Sequence, residues 1–140
     1  MRLGTGTLRT FQAVYYRSPQ GDEPVRDVLD ALEDDAQAAI DNQIDRLNLL
    51  SDAVPHLPFP HSSQVDGELR ELRCHYGRQL YRVLYRRSDR LLILLHVFGK
   101  RSAKIPQREI RVAQERWEDF KSRMDTEQRV PPRAAGRDAP

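Results

Sequence analysis

Cysteine occurs once in the 140 residues, at position 74, which excludes an internal disulfide and any zinc site built on several cysteines. Long apolar runs are also missing. The longest, Leu91–Leu95, is five residues, against the roughly 20 that a membrane-spanning helix needs. The opening Met1-Arg2-Leu3-Gly4-Thr5-Gly6-Thr7 lacks the apolar stretch of a secretory signal, so a cytoplasmic protein without membrane contact is expected. No pattern of metal ligands or cofactor-binding motif stands out, and neither a metal nor a cofactor is expected. What remains, at 39% hydrophobic and 31% charged residues, is an ordinary globular composition sized for one domain.

Lysine is scarce as well. Of the 23 basic residues, 20 are arginine, the side chain suited to forked contacts with phosphate. Charge is divided along the chain. Residues 1–66 hold five arginines against eleven acidic residues, a net of −6, and residues 67–140 hold eighteen basic against ten acidic, a net of +8. Within 69–104, ten basic residues face only Glu71 and Asp89. Basic charge gathered in one segment points to a polyanionic partner.

The pattern of apolar residues predicts an α+β domain of order β-α-α-β-β-β-α, a small, mainly antiparallel sheet with helices on one face. Phe11–Tyr16 has strand composition and ends at the turn residues Ser18-Pro19-Gln20-Gly21. Asp22 offers an N-cap, Pro24 suits a first helical turn, and Val25, Val28, Leu29 and Leu32 form an amphipathic stripe. A second helix is expected from about Asp35 to Leu50, with Ala36, Ile40, Ile44 and Leu47 inward. The prolines of Pro55–Pro60 make an extended connector and Asp66-Gly67 a turn. Strands follow at Leu69–Cys74, Gln79–Arg86 and Leu91–Phe98, then a basic loop, and a last helix with Ile110, Ala113, Trp117 and Phe120 buried. Residues 1–8 are expected to be flexible, 9–124 to form the domain, and 125–140 to be a disordered tail.

Strand alternation separates two faces. Tyr81, Val83 and Tyr85 oppose Arg82, Leu84 and Arg86, and Leu72 and Cys74 oppose Glu71 and Arg73. With the apolar sets against the helices, Glu71, Arg73, Arg82 and Arg86 share the open face. Leu91–Leu95 has no alternation, as in a strand buried on both sides. An arginine-bearing sheet face beside Lys100-Arg101-Ser102-Ala103-Lys104 is a candidate phosphate-binding concavity.

Asp66-Gly67-Glu68-Leu69-Arg70-Glu71-Leu72-Arg73 resembles the "DG…ELR" signature of HigB-like toxins in the RelE/ParE superfamily, in its phage-derived branch. Tyr81–Tyr85, Leu94–Arg101, Lys104-Ile105-Pro106, Glu109-Ile110 and Ala113 continue the resemblance in order, over roughly residues 9–121. Arg101 stands where the family usually has a second lysine, and Ile105 where it has threonine before proline. The resemblance implies a type II toxin–antitoxin toxin, a metal-independent endoribonuclease that cuts translated mRNA on the ribosome and is neutralised by a helix-turn-helix antitoxin. Two alternatives remain open on the same fold: a non-enzymatic, ParE-like inhibitor of DNA gyrase, and a degenerate phage-related binding protein.

Such cleavage needs a base for the 2′-hydroxyl, cations for the phosphorane and an acid for the 5′-oxygen. Arg73, Arg82 and Lys100 are the candidate phosphate-stabilising groups. Glu71 is a candidate base, with a salt bridge to Arg73 or Arg82 as its structural alternative. His96 is a candidate acid or base, with a hydrogen-bonded core histidine as the alternative. Arg86, Arg101 and Lys104 are candidate RNA contacts. Tyr81, Tyr85 and Trp117 read as core aromatics and Cys74 as a small buried hydrophobe.

Overall fold

Pro24 opens the first helix as expected, but Glu23 rather than Asp22 occupies the N-cap position and makes no side-chain cap bond. A computed structural model of the chain describes residues 9–99, 104–124 and 133–136. In order they form β1 (Gln12–Tyr15), α1 (Pro24–Ala31), α2 (Asp34–Leu47), β2 (Ser62–Asp66), β3 (Leu69–Tyr76), β4 (Gln79–Ser88), β5 (Leu91–Gly99), α3 (Gln107–Met124) and β6 (Arg133–Ala134). The mixed α+β architecture and the antiparallel run of three strands at 69–99 agree with the sequence pattern. Gly77 and Asp89 take the left-handed conformation at the two expected turns, with φ of 58° and 55°.

Two strands were not anticipated. β2 pairs with β3 across the Asp66-Gly67 turn. β6 pairs with β1, so residues 133–136 of the expected tail are ordered against the sheet. The remaining tail residues and residues 1–8 lie outside the described residues. The full sheet order is β2-β3-β4-β5-β1-β6, antiparallel except where β1 runs parallel to β5.

The placement of helices on one face is corrected. Phe11, Val25, Leu29, Ile40, Ile44, Leu72, Val83, Tyr85, Leu92 and Leu94 form one core under α1 and α2. Val14, Tyr16, Leu69, Leu84, Ile93, Leu95, Ala113, Trp117 and Phe120 form a second under α3. The two sets come from alternate residues of the same strands, so α3 covers the face opposite the hairpin. β5 is buried on both sides, as its unbroken apolar run implied.

A bulge in β5 matters for the site. Tyr85 pairs with Leu94 and Leu84 with His96, which leaves Leu95 as the extra residue. Leu95 and His96 are therefore both turned toward α3, where Leu95 joins the second core and His96 meets Glu109.

Candidate functional site

Arg73 and Arg82 stand directly opposite one another on β3 and β4, and two like charges in that register repel. Glu71, two residues before Arg73 and on the same face, resolves the conflict. Its carboxylate accepts from Arg73 Nε at 2.7 Å and from Arg82 Nη1 at 3.1 and 3.3 Å. Two guanidiniums thus share one carboxylate, and the three side chains carry one net positive charge.

Depth differs sharply within this cluster. Arg82 is 1% exposed and Glu71 3%, whereas the Arg73 side chain keeps 21% of its surface. The expectation that Arg82 faces solvent is corrected: it is a buried ion-pair partner. α3 packs on the adjoining Leu84 and closes that face. Arg73 is the member of the cluster that reaches water, through an open, shallow cavity of about 340 Å³ that Glu71, Lys104 and Gln107 also line. Lys104 thereby adds positive charge beside Arg73, as the sequence suggested. Lys100 and Arg101 lie outside the described residues.

Arg86 does not join them. Its guanidinium sits 4.3 Å from the Trp117 ring centroid and 3.5 Å from Glu68, with 30% of the side chain exposed.

His96 lies on the same face but in a separate network. Its Nε2 is 2.7 Å from Glu109 Oε1, and Arg116 Nη1 is 3.3 Å from its Nδ1. A guanidinium only donates, so Nδ1 is the acceptor and Nε2 carries the proton that goes to Glu109. Arg116 also donates to the Leu95 carbonyl at 2.8 Å. Burial lowers the imidazole pKa, with Arg116 adding to the effect and Glu109 opposing it. Both ring nitrogens are hydrogen-bonded in this structure, the arrangement given above as the alternative to an acid or base. The signal for this lay in the His96–Glu109 and His96–Arg116 pairings, which a bulge creates and local sequence does not display.

One neighbour of the site escaped sequence reasoning. Phe59, 73% exposed, presents its ring 5.7 Å from the Arg73 guanidinium. Phe59 lies in a turn that the His61 amide closes by donating to the Pro58 carbonyl at 3.0 Å, in place of the extended connector expected from the prolines; the flanking Pro58 and Pro60 were the available sign of such a turn. A cation beside an exposed aromatic ring suits a phosphate and its attached base.

Among the described residues no cluster of three or more His, Cys, Asp or Glu side chains is arranged to hold a metal, and no helix is long and apolar enough to cross a membrane. No curated protein matches the chain. Residues 27–118, from within α1 to most of α3 and including Glu71, Arg73, Arg82 and His96, match the family described as phage derived protein Gp49-like (DUF891). That span is well over half of the chain, which belongs to the Gp49-like phage-derived family.

Proposed function

We propose that this Gp49-like chain is the toxin of a type II toxin–antitoxin pair, in the RelE/ParE superfamily and its HigB-like branch, and that it cuts translated mRNA on the ribosome. The observation that carries the reading is the Glu71–Arg73–Arg82 cluster opening at one end onto a cavity shared with Lys104. A net positive, partly buried group with one solvent-reaching guanidinium favours a phosphodiester.

In this reading the 2′-oxygen attacks the adjacent phosphorus, forming the 2′-O–P bond as the P–O5′ bond breaks. The products are a cyclic phosphate and a 5′-hydroxyl, the leaving oxygen taking its proton from solvent water while Glu71 later returns its own to solvent. Arg73 and Lys104 hold the non-bridging oxygens, and Phe59 stacks on a neighbouring base. The proton of the 2′-hydroxyl passes to Glu71, the carboxylate lining the cavity. Arg82 is a positioning residue that holds Glu71 in place. His96 takes no part in proton transfer. A helix-turn-helix antitoxin is the expected partner, with the acidic α1–α2 hairpin as its docking side.

The commitment of both His96 nitrogens and the burial of Arg82 favour one rival, a non-enzymatic inhibitor on the same fold. Induced expression followed by primer extension on cellular transcripts separates the two. Translation-dependent cuts are expected from the wild type, and Arg73→Ala should lower them by about 10²–10³-fold, the usual cost of one transition-state donor. Growth arrest with intact transcripts, or equal cutting by Arg73→Ala, overturns the nuclease reading.

A further inference from the structure

On the hairpin side of the sheet, a second cavity of about 320 Å³ opens near the Asp66-Gly67 and Ser88-Asp89 turns. Adjacent strands build its floor. Arg70 of β3 lies opposite Gln64 of β2 and Tyr85 of β4, and Arg87 of β4 lies opposite Leu92 of β5. Pro55 and His56 of the proline connector close it from above. Nothing in the reading of the Arg73 site uses these residues, which lie on the other face of the sheet.

Its polar lining is rich in donors. Arg70 pairs with no carboxylate among the described residues, and its hydrogen bond there is a long one, Nε to Ser62 Oγ at 3.4 Å. Ser62 and Tyr85, both buried, have their hydroxyl oxygens 2.8 Å apart. Either hydroxyl can be the donor of that pair; where Ser62 donates, the phenolic proton of Tyr85 is left for a third partner. Arg87 is held by Asp52 at 2.9 Å and adds fixed positive charge to the wall. His56 lies within reach of the same charges, and its pKa is lowered by burial first and then by Arg70 and Arg87. Glu68 is the one carboxylate in the lining; it is paired with Arg86 at 3.5 Å and is mostly exposed. Beside these donors lie the apolar surfaces of Leu92 and Pro55.

We propose that this cavity binds a nucleoside monophosphate, with Arg70 and the Tyr85 hydroxyl on the phosphate and Leu92 and Pro55 against the base. A guanidinium with no carboxylate partner among the described residues selects an anion, and the apolar wall distinguishes a nucleotide from a bare phosphate ion. The volume lies at the small end of ligand cavities, which run from about 300 to 1,000 Å³, and so suits one nucleotide and not two.

The test is an NMR titration of the full chain with GMP, guanosine and inorganic phosphate in turn. GMP should shift the amides of Arg70, Tyr85 and Leu92 saturably, with guanosine and phosphate each weaker by about tenfold or more. Arg70→Met should weaken GMP by about tenfold, as a lost charge-assisted contact does. His56→Glu on the exposed roof should weaken it in the same direction without disturbing the core, and Arg73→Ala should leave it unchanged. The proposal fails if GMP gives no saturable shifts at those amides or if phosphate binds as tightly as GMP. It fails equally if folded His56→Glu binds as the wild type does.

Discussion

Glu71→Gln should be among the most damaging single changes in this chain, and the geometry says why. The carboxylate holds two guanidiniums that face each other across β3 and β4. Without its charge, Arg73 can turn to water, since 21% of its side chain is already exposed. Arg82, at 1% exposure, cannot. Removing one partner of a buried ion pair costs about 3–5 kcal/mol. Arg82→Met should cost less, about 1–3 kcal/mol, because Glu71 keeps its 2.7 Å bond to Arg73. Arg73→Met, at the rim, should cost about 1 kcal/mol or less. The Glu71→Gln/Arg82→Met double variant should then be milder than the sum of its parts by about 2 kcal/mol, since removing the anion harms only while the buried cation remains. Urea unfolding at pH 7 with a common m-value measures all four. A Glu71→Gln variant within about 1 kcal/mol of wild type, or single costs that simply add, would refute the buried-triad reasoning.

Three further outcomes follow from other parts of the molecule. Burial first, with Arg116 against Glu109, lowers the His96 pKa below its ordinary 6.5. The folded state therefore takes up this proton less readily than the unfolded chain, so the stability His96 contributes is full above about pH 6.5 and is lost as pH falls through the folded value. His96→Gln should flatten that slope in unfolding experiments, and long-range ¹H–¹⁵N spectra should show the Nε2–H tautomer; an Nδ1–H tautomer contradicts the assigned network. Gly136 has φ of +109°, and a Cβ there would lie 2.6 Å from both Asn48 Nδ2 and Asp45 Oδ1, so Gly136→Val should release β6 at a cost of about 1–3 kcal/mol. Hydrogen exchange at the Ala135 amide, which donates to the Ala13 carbonyl at 2.8 Å, reads this directly, and protection equal to wild type argues against it. Cys74 is fully buried, and burial pushes its thiol pKa up, so an aromatic disulfide reagent should label it only as the chain unfolds; rapid labelling of native protein contradicts that burial.

Much of the fold was legible because its signals are local. Pro24, the heptad-like stripe of Ile40, Ile44 and Leu47, and the turns at Gly77 and Asp89 each act within a few residues. β2 was missed although Asp66-Gly67 was recognised. Such a turn asks for strands on both sides, and Ser62-Ser63-Gln64-Val65-Asp66 is too polar to announce itself. Only Ser62 is buried there, satisfied by Tyr85. β6 was invisible for a different reason: its stability comes from distant partners. The Asn48 side chain accepts from the Ala13 amide at 2.7 Å and donates to the Ala135 carbonyl at 3.0 Å, contacts spanning most of the chain.

The misplaced helix shows how the candidate site was half read. Alternation correctly put Glu71, Arg73 and Arg82 on one face, yet that face was taken to be open. The sequence already contained the objection. A run such as Leu91–Leu95, buried on both sides, requires cover on both faces of the sheet, and Leu84 between Arg82 and Arg86 requires it on the arginine face in particular. After α1 and α2 are spent on one face, the stripe of Ile110, Ala113, Trp117 and Phe120 is the remaining apolar surface large enough to supply it. Placing α3 there changes the chemistry. Arg86 becomes a packing partner of Trp117, Arg82 becomes an internal counterion, and His96 is captured by Glu109 and Arg116. On this face the Glu71 cluster then meets water beside the first turn of α3, where Arg73 and Lys104 line one cavity. The number of arginines on a strand face is therefore a poor guide to a phosphate site; what decides it is where the covering helix begins.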